Sequence, residues 1–385
     1  MSINKLSVPK LPDGTVLVHI GPHKTGTTNL QNSMHINRIK LMEQGVYYGA
    51  PAERIASNRI ARALLRLPFI NPDQVVEYKE WEDQVARIKA SGARIAVISG
   101  EEFSFCGVKE IRTLLSDLGK NKVHIVITVR SLAKILPSQW QLDLKGMHTV
   151  DSFDTWLRWV LKPRKLRRIA TLLGIPHPFW FRHRHDQLVK RWMAEVGIDK
   201  VTVVVADDAN HQQLFDSFEA LFGVIKGTLQ PDFSKSNPSI SVEDAAIIAK
   251  VFSTLAERHL VVNDRKHVRI IRQRLLTQRP KGAIEAKITI PGWAVDAVHS
   301  ISQTIYDGLL TSGVRIIGDP SVLLQSNIRN PGRAIVDESA TESVALQLVA
   351  ELEADGKLEP GRNMGSSARA MTRLFRRLTR RARKQ

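Results

Sequence analysis

Six consecutive residues, His23-Lys24-Thr25-Gly26-Thr27-Thr28, bring one lysine, one histidine and three threonines together around a glycine, with Gly21 and Pro22 just ahead. These side chains suit an anion. Lys24 supplies a point charge, Thr25, Thr27 and Thr28 supply hydroxyl donors, and Gly21 and Gly26 let the backbone approach a bulky group. An apolar run at 15–20 leads in and an apolar-periodic segment follows from Asn29, so the order is strand, loop, helix. A helix N-terminus presents backbone N–H groups without intrahelical partners, and its dipole adds positive potential. A phosphate or sulfate group is the expected occupant. The Walker loop places its Lys directly after the second Gly. Here Lys24 comes two residues before Gly26, which argues against an ordinary ATP or GTP site.

Two further constellations lie at expected strand ends. The run 122–129 ends in Arg130, and Ser138 follows eight residues later. A guanidinium there can fork onto a phosphate, and a hydroxyl on the next helix can donate from the side. Ligand sites of open α/β sheets lie at this carboxyl edge. The bland alternative is a surface arginine and a capping serine. The second constellation is Ser99-Gly100-Glu101-Glu102-Phe103-Ser104, directly after the run 94–99. A carboxylate beside the basic loop can take a proton from an attacking hydroxyl, so Glu101 and Glu102 are catalytic candidates. The alternative is that one pairs with Lys24 or Arg130 and the other caps the helix at 108. His23 is the rival base, because a helix dipole disfavours its protonated form. His183 and His185 sit in a basic polar stretch without metal-ligand spacing, and no metal site is expected.

The His-Lys-Thr-Gly-Thr-Thr loop followed by Leu30-Gln31 resembles the 5′-phosphosulfate loop of the bacterial sulfotransferases, which use 3′-phosphoadenosine 5′-phosphosulfate (PAPS). The resemblance spans residues 15–245. It implies a P-loop-like α/β fold, a three-layer parallel sheet flanked by helices. It implies PAPS as co-substrate on His23, Lys24, Thr25, Gly26, Thr27 and Thr28, with Arg130 and Ser138 on the 3′-phosphate and no metal. Lys24 would neutralise charge on the bridging oxygen and the sulfuryl group. Ser99-Gly100-Glu101-Glu102-Phe103 is similar to a Ser-x-Glu-Glu-Phe segment of these enzymes. Asn237-Pro238-Ser239-Ile240-Ser241 is similar to their Asn-x-Ser-Leu-Ser stretch, which places Asn237 toward the cofactor, with a helix cap as the alternative.

The surrounding elements fit that frame. Strands are expected at 45–49, 94–99, 122–129 and 201–205, with helices at 53–67, 72–90, 108–118, 132–160, 186–196 and 214–222. Continuous apolar strands alternating with helices predict a parallel sheet covered on both faces. Residues 177–181 read as a loop, Ser241 as a helix N-cap, and 241–312 as almost wholly helical. The domain division expected is a core at 1–245, a helical extension at 246–330 packed on it, and a linker, short helix and basic tail at 331–385.

The 385 residues are 43% hydrophobic and 24% charged, a globular composition. Cys106 is the single cysteine, which excludes an intrachain disulfide and suits a reducing, cytoplasmic compartment. No signal peptide or membrane span is expected. Of the net charge of +18, seven Arg and one Lys lie in residues 369–384, unopposed by any acid. At helical spacing with Met371, Leu374, Phe375 and Leu378, they predict peripheral contact with an anionic inner membrane. A disordered tail is the alternative, and no aromatic ladder points to nucleic acid.

Three functions compete. The first is a sulfotransferase that moves a sulfuryl group from PAPS to a hydroxyl or amine of a lipid, glycan or small molecule. The second is a P-loop small-molecule kinase, disfavoured because 122–129 ends in Arg130 where a Walker-B acid belongs. The third is a basic membrane or nucleic-acid adaptor, which leaves the loop unexplained. Tyr47, Tyr48, Phe103, Phe105 and Trp140 are candidate acceptor contacts that fit a lipid, a phenol or a sugar equally.

Overall fold

The structure is a computed structural model that describes residues 8–49, 56–67, 76–145, 151–162, 178–230, 240–262, 287–325, 338–356 and 358–360. Asn237 and the tail from 361 lie outside them. The strands are β1 (Thr15–Ile20), β2 (Val46–Tyr48), β3 (Ile95–Ser99), β4 (Val123–Val129), β5 (Val201–Val205), β6 (Leu260–Val262), β7 (Arg315–Ile317) and β8 (Leu358–Pro360).

Residues 1–135, 178–237 and 298–325 form one compact unit. Its centre is a six-stranded sheet in the order β2-β3-β1-β4-β5-β7, parallel throughout. Helices flank it, and the expected α/β class holds. Every residue of β1, β3, β4 and β5 is buried, which is why these strands read as continuous apolar runs. On one face Leu30 and Met34 of the helix Thr27–Ile36 and Phe215, Phe218 and Phe222 of the helix His211–Phe222 pack with Leu17, Val97, Val126 and Val204. The helix His185–Val196 packs against β4 and β5. β1 lies in the middle: the chain runs outward to β2 and β3 on one side, then crosses to β4 and β5 on the other. The turns after β1 and β4 therefore flank the point where strand order reverses, where such sheets bind ligands.

Residues 136–177, 238–297 and 326–385 form a second unit. Within it the helix Val242–Glu257 packs on the helix Glu338–Ala354, and β6 pairs antiparallel with β8. Ser241 caps its helix as expected, its Oγ accepting from the Asp244 N–H at 3.0 Å.

Three expectations change. The helix expected over 132–160 is two, Leu132–Lys145 and Phe153–Val160, the second capped by Ser152, whose Oγ accepts from Thr155 N–H at 3.2 Å. Residues 178–181 of the stretch 177–181, expected as a loop, belong to the helix Pro178–His183, with proline at its first position where no N–H is missed. The stretch 241–312, expected as almost wholly helical, also supplies the short strand β6, and the segment beyond supplies β7 as an edge strand of the main sheet. Three-residue strands carry too little pattern to stand out from a helical context.

Candidate active site

The loop after β1 takes its shape from its own side chains. Thr25 Oγ1 donates to the Pro22 carbonyl at 2.8 Å, and Thr27 Oγ1 donates to the Gly21 carbonyl at 3.2 Å. Both threonines are buried, so their hydroxyls brace the turn, while Thr28 is exposed at the start of the helix. A Cβ at Gly21 would overlap the Thr27 side chain. Gly26 sits at φ 90°, and Lys24 adopts φ 72°, a left-handed conformation uncommon for a residue with a side chain. The strained lysine lies at the N-terminus of the helix Thr27–Ile36, whose first N–H groups have no side-chain cap.

Arg130, at the carboxyl end of β4, joins this loop from the neighbouring strand. Its Nη1 donates to the Lys24 carbonyl at 2.9 Å and its Nη2 to Asp208 Oδ2 at 2.7 Å. Its Nε is buried without a partner. Lys134 Nζ stands 4.0 Å from the same Asp208 oxygen. The donor set suits a phosphate- or sulfate-type anion: two cationic residues and a helix N-terminus at one strand edge, and a guanidinium with an orphaned donor. Ser138 is half-buried on the helix Leu132–Lys145.

The acidic segment after β3 is the one-turn 3₁₀ helix Glu101–Phe105. His23 Nδ1 lies 2.8 Å from Glu101 Oε2, and its Nε2 lies 4.0 Å from Glu102 Oε1. Arg62 Nη2 donates to Glu102 Oε1 at 2.6 Å. Burial pushes the Glu101 carboxyl up, but His23, and then Lys24 and Arg182, outweigh it, so the group stands below its ordinary value. Glu101 thus pairs with His23, and Lys24 adds a favourable charge beside it. The helix Val108–Leu118 is closed by Glu110, whose Oε2 accepts from the Gly107 N–H at 3.0 Å, and not by either glutamate.

The helix Pro178–His183 is held against this segment. Arg182 stacks on Phe105 at 4.7 Å, and Arg191 donates to the Ser104 carbonyl at 3.0 Å while stacking on Phe181 at 4.0 Å. His183 and His185 are buried, with no hydrogen-bond partner on any ring nitrogen, and their rings are 6.1 Å apart. The sequence context of a basic polar stretch misleads here, because Phe179, 4.5 Å from the His183 ring, carries the segment inward. Burial first, and then neighbouring Arg182, His185 and His23, hold His183 far below the ordinary histidine value, and burial lowers His185 to about 4.

Sequence reasoning missed His19. Its Nδ1 bonds Ser99 Oγ at 2.8 Å and its Nε2 bonds Thr128 Oγ1 at 2.8 Å, pinning β1 to β3 and β4 just below the loop. Gln31 Nε2 of the first helix also donates to Ser99 Oγ at 2.9 Å. Burial lowers the His19 pKa to about 3, so the ring is neutral. The available signal was a polar residue near the carboxyl end of each of three apolar runs: His19, Ser99 and Thr128. Asp208 was missed as well. It follows β5 in a turn whose sequence carries no motif.

Of the candidate acceptor contacts, Tyr48 and Phe103 are core residues, 5% and 0% exposed. Trp140 donates to the Asp151 carbonyl at 3.0 Å and packs on Phe153. Their size and apolar character serve packing. Among the described residues no group of three or more His, Cys, Asp or Glu is placed to hold a metal ion, and no helix is long and apolar enough to cross a membrane.

No protein-family model matches the chain, and no curated protein matches it. A crystal structure of a sulfotransferase from Alicyclobacillus acidocaldarius aligns over 70% of this chain and 97% of that one, at 14% identity and a TM-score of 0.39. A likeness of that degree carries nothing about activity.

Proposed function

We propose that the chain is a sulfotransferase that takes its sulfuryl group from PAPS. One observation carries this: the loop of Lys24 and Gly26 opens a helix at the edge of β1, and Arg130 at the adjacent edge of β4 donates to that loop at 2.9 Å. When bound, PAPS supplies the activated sulfuryl group. Lys24 and the loop N–H groups would hold its phosphosulfate, and Arg130, whose Nε is buried and unpartnered, would hold a phosphate. A fixed cation there stabilises negative charge that develops on the departing phosphate oxygen. Ser138 and Asn237 belong to this reading through the resemblance of their segments alone.

The acceptor must lose a proton as it attacks. Glu101 is engaged by His23 and held in its charged form, which makes it a weak base. In our reading His23 donates its Nδ1–H to Glu101 and offers Nε2 to the acceptor, and Glu101 is a positioning residue. Glu102 is occupied by Arg62. A hydroxyl or amine of a small molecule, lipid or glycan satisfies this chemistry. Membrane contact through the tail beyond residue 366 is a separate proposal, checked by flotation with anionic liposomes with and without residues 366–385.

The test is transfer of radiolabel from ³⁵S-PAPS to lipid, glycan and small-molecule extracts, with retention on immobilised adenosine 3′,5′-bisphosphate as the binding arm. Elution that requires Mg-ATP, or label transfer from ATP alone, would replace this reading with the kinase one.

A further inference from the structure

Asp208 has no role in the chemistry above, yet it occupies the cationic corner. Arg130 gives it one Nη2–H at 2.7 Å, and Lys134 approaches it at 4.0 Å. It follows β5 and so stands at the same carboxyl edge as Arg130 at the end of β4. The contact uses one edge hydrogen of the guanidinium and leaves Nε, on that same edge, buried and unpartnered. A carboxylate held by a single bond where two parallel bonds are available is an incomplete partner. The three side chains are 22–38% exposed, so solvent and solutes reach the pair.

We propose that Asp208 is an internal anion that competes with the ligand phosphate for Arg130, and so sets the affinity and selectivity of this corner. It rests on the reading of the loop and Arg130 as the nucleotide site. The physical basis is charge. A phosphate entering beside Asp208 meets a negative group next to the cation it needs, so it must displace the carboxylate or bear the repulsion. Asp208 also neutralises part of the corner when no phosphate is bound, which discourages weakly charged or singly anionic solutes. A dianion that satisfies Nε and Nη2 together outbids the single-bonded carboxylate. A merely structural Asp208 would support Arg130, and its removal would weaken binding. The competing role has the opposite sign.

The experiment is titration calorimetry of the full chain and of Asp208→Asn with adenosine 3′,5′-bisphosphate, adenosine 5′-phosphate and inorganic phosphate. Asp208→Asn is expected to bind the bisphosphate about two- to fivefold tighter, the scale of a partly exposed charge pair. Inorganic phosphate should gain similarly and adenosine 5′-phosphate less. In an Arg130→Ala background the gain should vanish, because the competition acts through that guanidinium. Unchanged or weaker bisphosphate binding by Asp208→Asn, or a gain that persists without Arg130, would overturn the proposal. Asp208→Ser, checked by thermal melting beside the parent, repeats the test if the amide variant folds poorly. If neither protein binds the nucleotide but Asp208→Asn gains for inorganic phosphate, the nucleotide reading fails and the competition stands. If wild type binds the bisphosphate and the variant shows no gain, only the competition fails. If no ligand binds either protein, both are overturned.

Discussion

The loop after β1 borders two corners of different character. On the acidic side His23 pairs with Glu101 and Arg62 with Glu102, among side chains 4–16% exposed. On the cationic side Arg130, Asp208 and Lys134 are 22–38% exposed, and Arg130 keeps an unpartnered donor. Charges buried together must neutralise one another, so the acidic corner is fixed by its internal pairs. Charges that solvent reaches can exchange partners cheaply, so the cationic corner can release one anion for another. Changes on the acidic side should therefore show in rate and stability, and changes on the cationic side in binding.

Lys24→Ala, in the loop that both corners border, should have the largest effect, lowering the rate of sulfuryl transfer by about 10²–10³-fold or more, as for loss of a charge-stabilising donor. Transfer kinetics on a variant shown folded by circular dichroism measure this, and normal turnover would remove the assignment.

Glu101→Gln and Glu102→Gln should separate the roles inside the acidic corner. The first should lower kcat by about 10²-fold and shift the pH profile, since it removes the partner that orients His23. The second should lower the melting temperature while keeping more activity, because Arg62 loses its buried charge partner. Equal kinetic losses would erase the distinction between them.

Arg130→Ala should weaken adenosine 3′,5′-bisphosphate by roughly 10-fold or more, the scale of a charge-assisted fork. Adenosine 5′-phosphate should lose less, with the residue of the effect passing through the Lys24 carbonyl that Arg130 supports. Identical losses for both nucleotides in calorimetry would place Arg130 on the loop alone.

Acid should act on the fold through its buried histidines, His19 and His185 near the site and His124 near the amino end of β4, where its Nε2 lies 2.9 Å from Thr202 Oγ1. In the folded protein His19 titrates at about 3 and His124 and His185 at about 4, all below the ordinary value of 6.5. The unfolded chain then binds more protons below pH 6.5, so stability is complete above 6.5 and falls as pH drops toward 4 and 3. The slope is up to about 1.4 kcal/mol per pH unit for each buried ring. Urea unfolding at pH 7.5, 6, 5 and 4 should show this decline, and His19→Gln should flatten it. A stability that does not fall between pH 6.5 and 4 would mean these rings reach solvent.

The local sequence carried a large share of this architecture. Strand β4 and the helix Val108–Leu118 lie within a residue of where their apolar patterns place them, because burial on a periodic face is written into consecutive residues. The loop was legible for the same reason: Gly21, Lys24 and Gly26 are close in the chain, and the turn that they form is braced by Thr25 and Thr27 from within. The helix Pro178–His183 was not legible, because a histidine- and arginine-rich stretch looks solvated until Phe179 and Trp180 are seen to be buried.

The amino-acid sequence by itself determined the α/β class, the strand-loop-helix unit and the candidate cations Lys24 and Arg130, since each depends on neighbours within a few residues. Tertiary structure decided the pairings. His23 meets Glu101 across 78 positions, Arg130 meets Asp208 across another 78, and His19 links Ser99 to Thr128. The order of strands in the sheet brings those residues to one edge. That order is set by packing and crossover connections among distant segments, which leave no mark on the sequence between the partners.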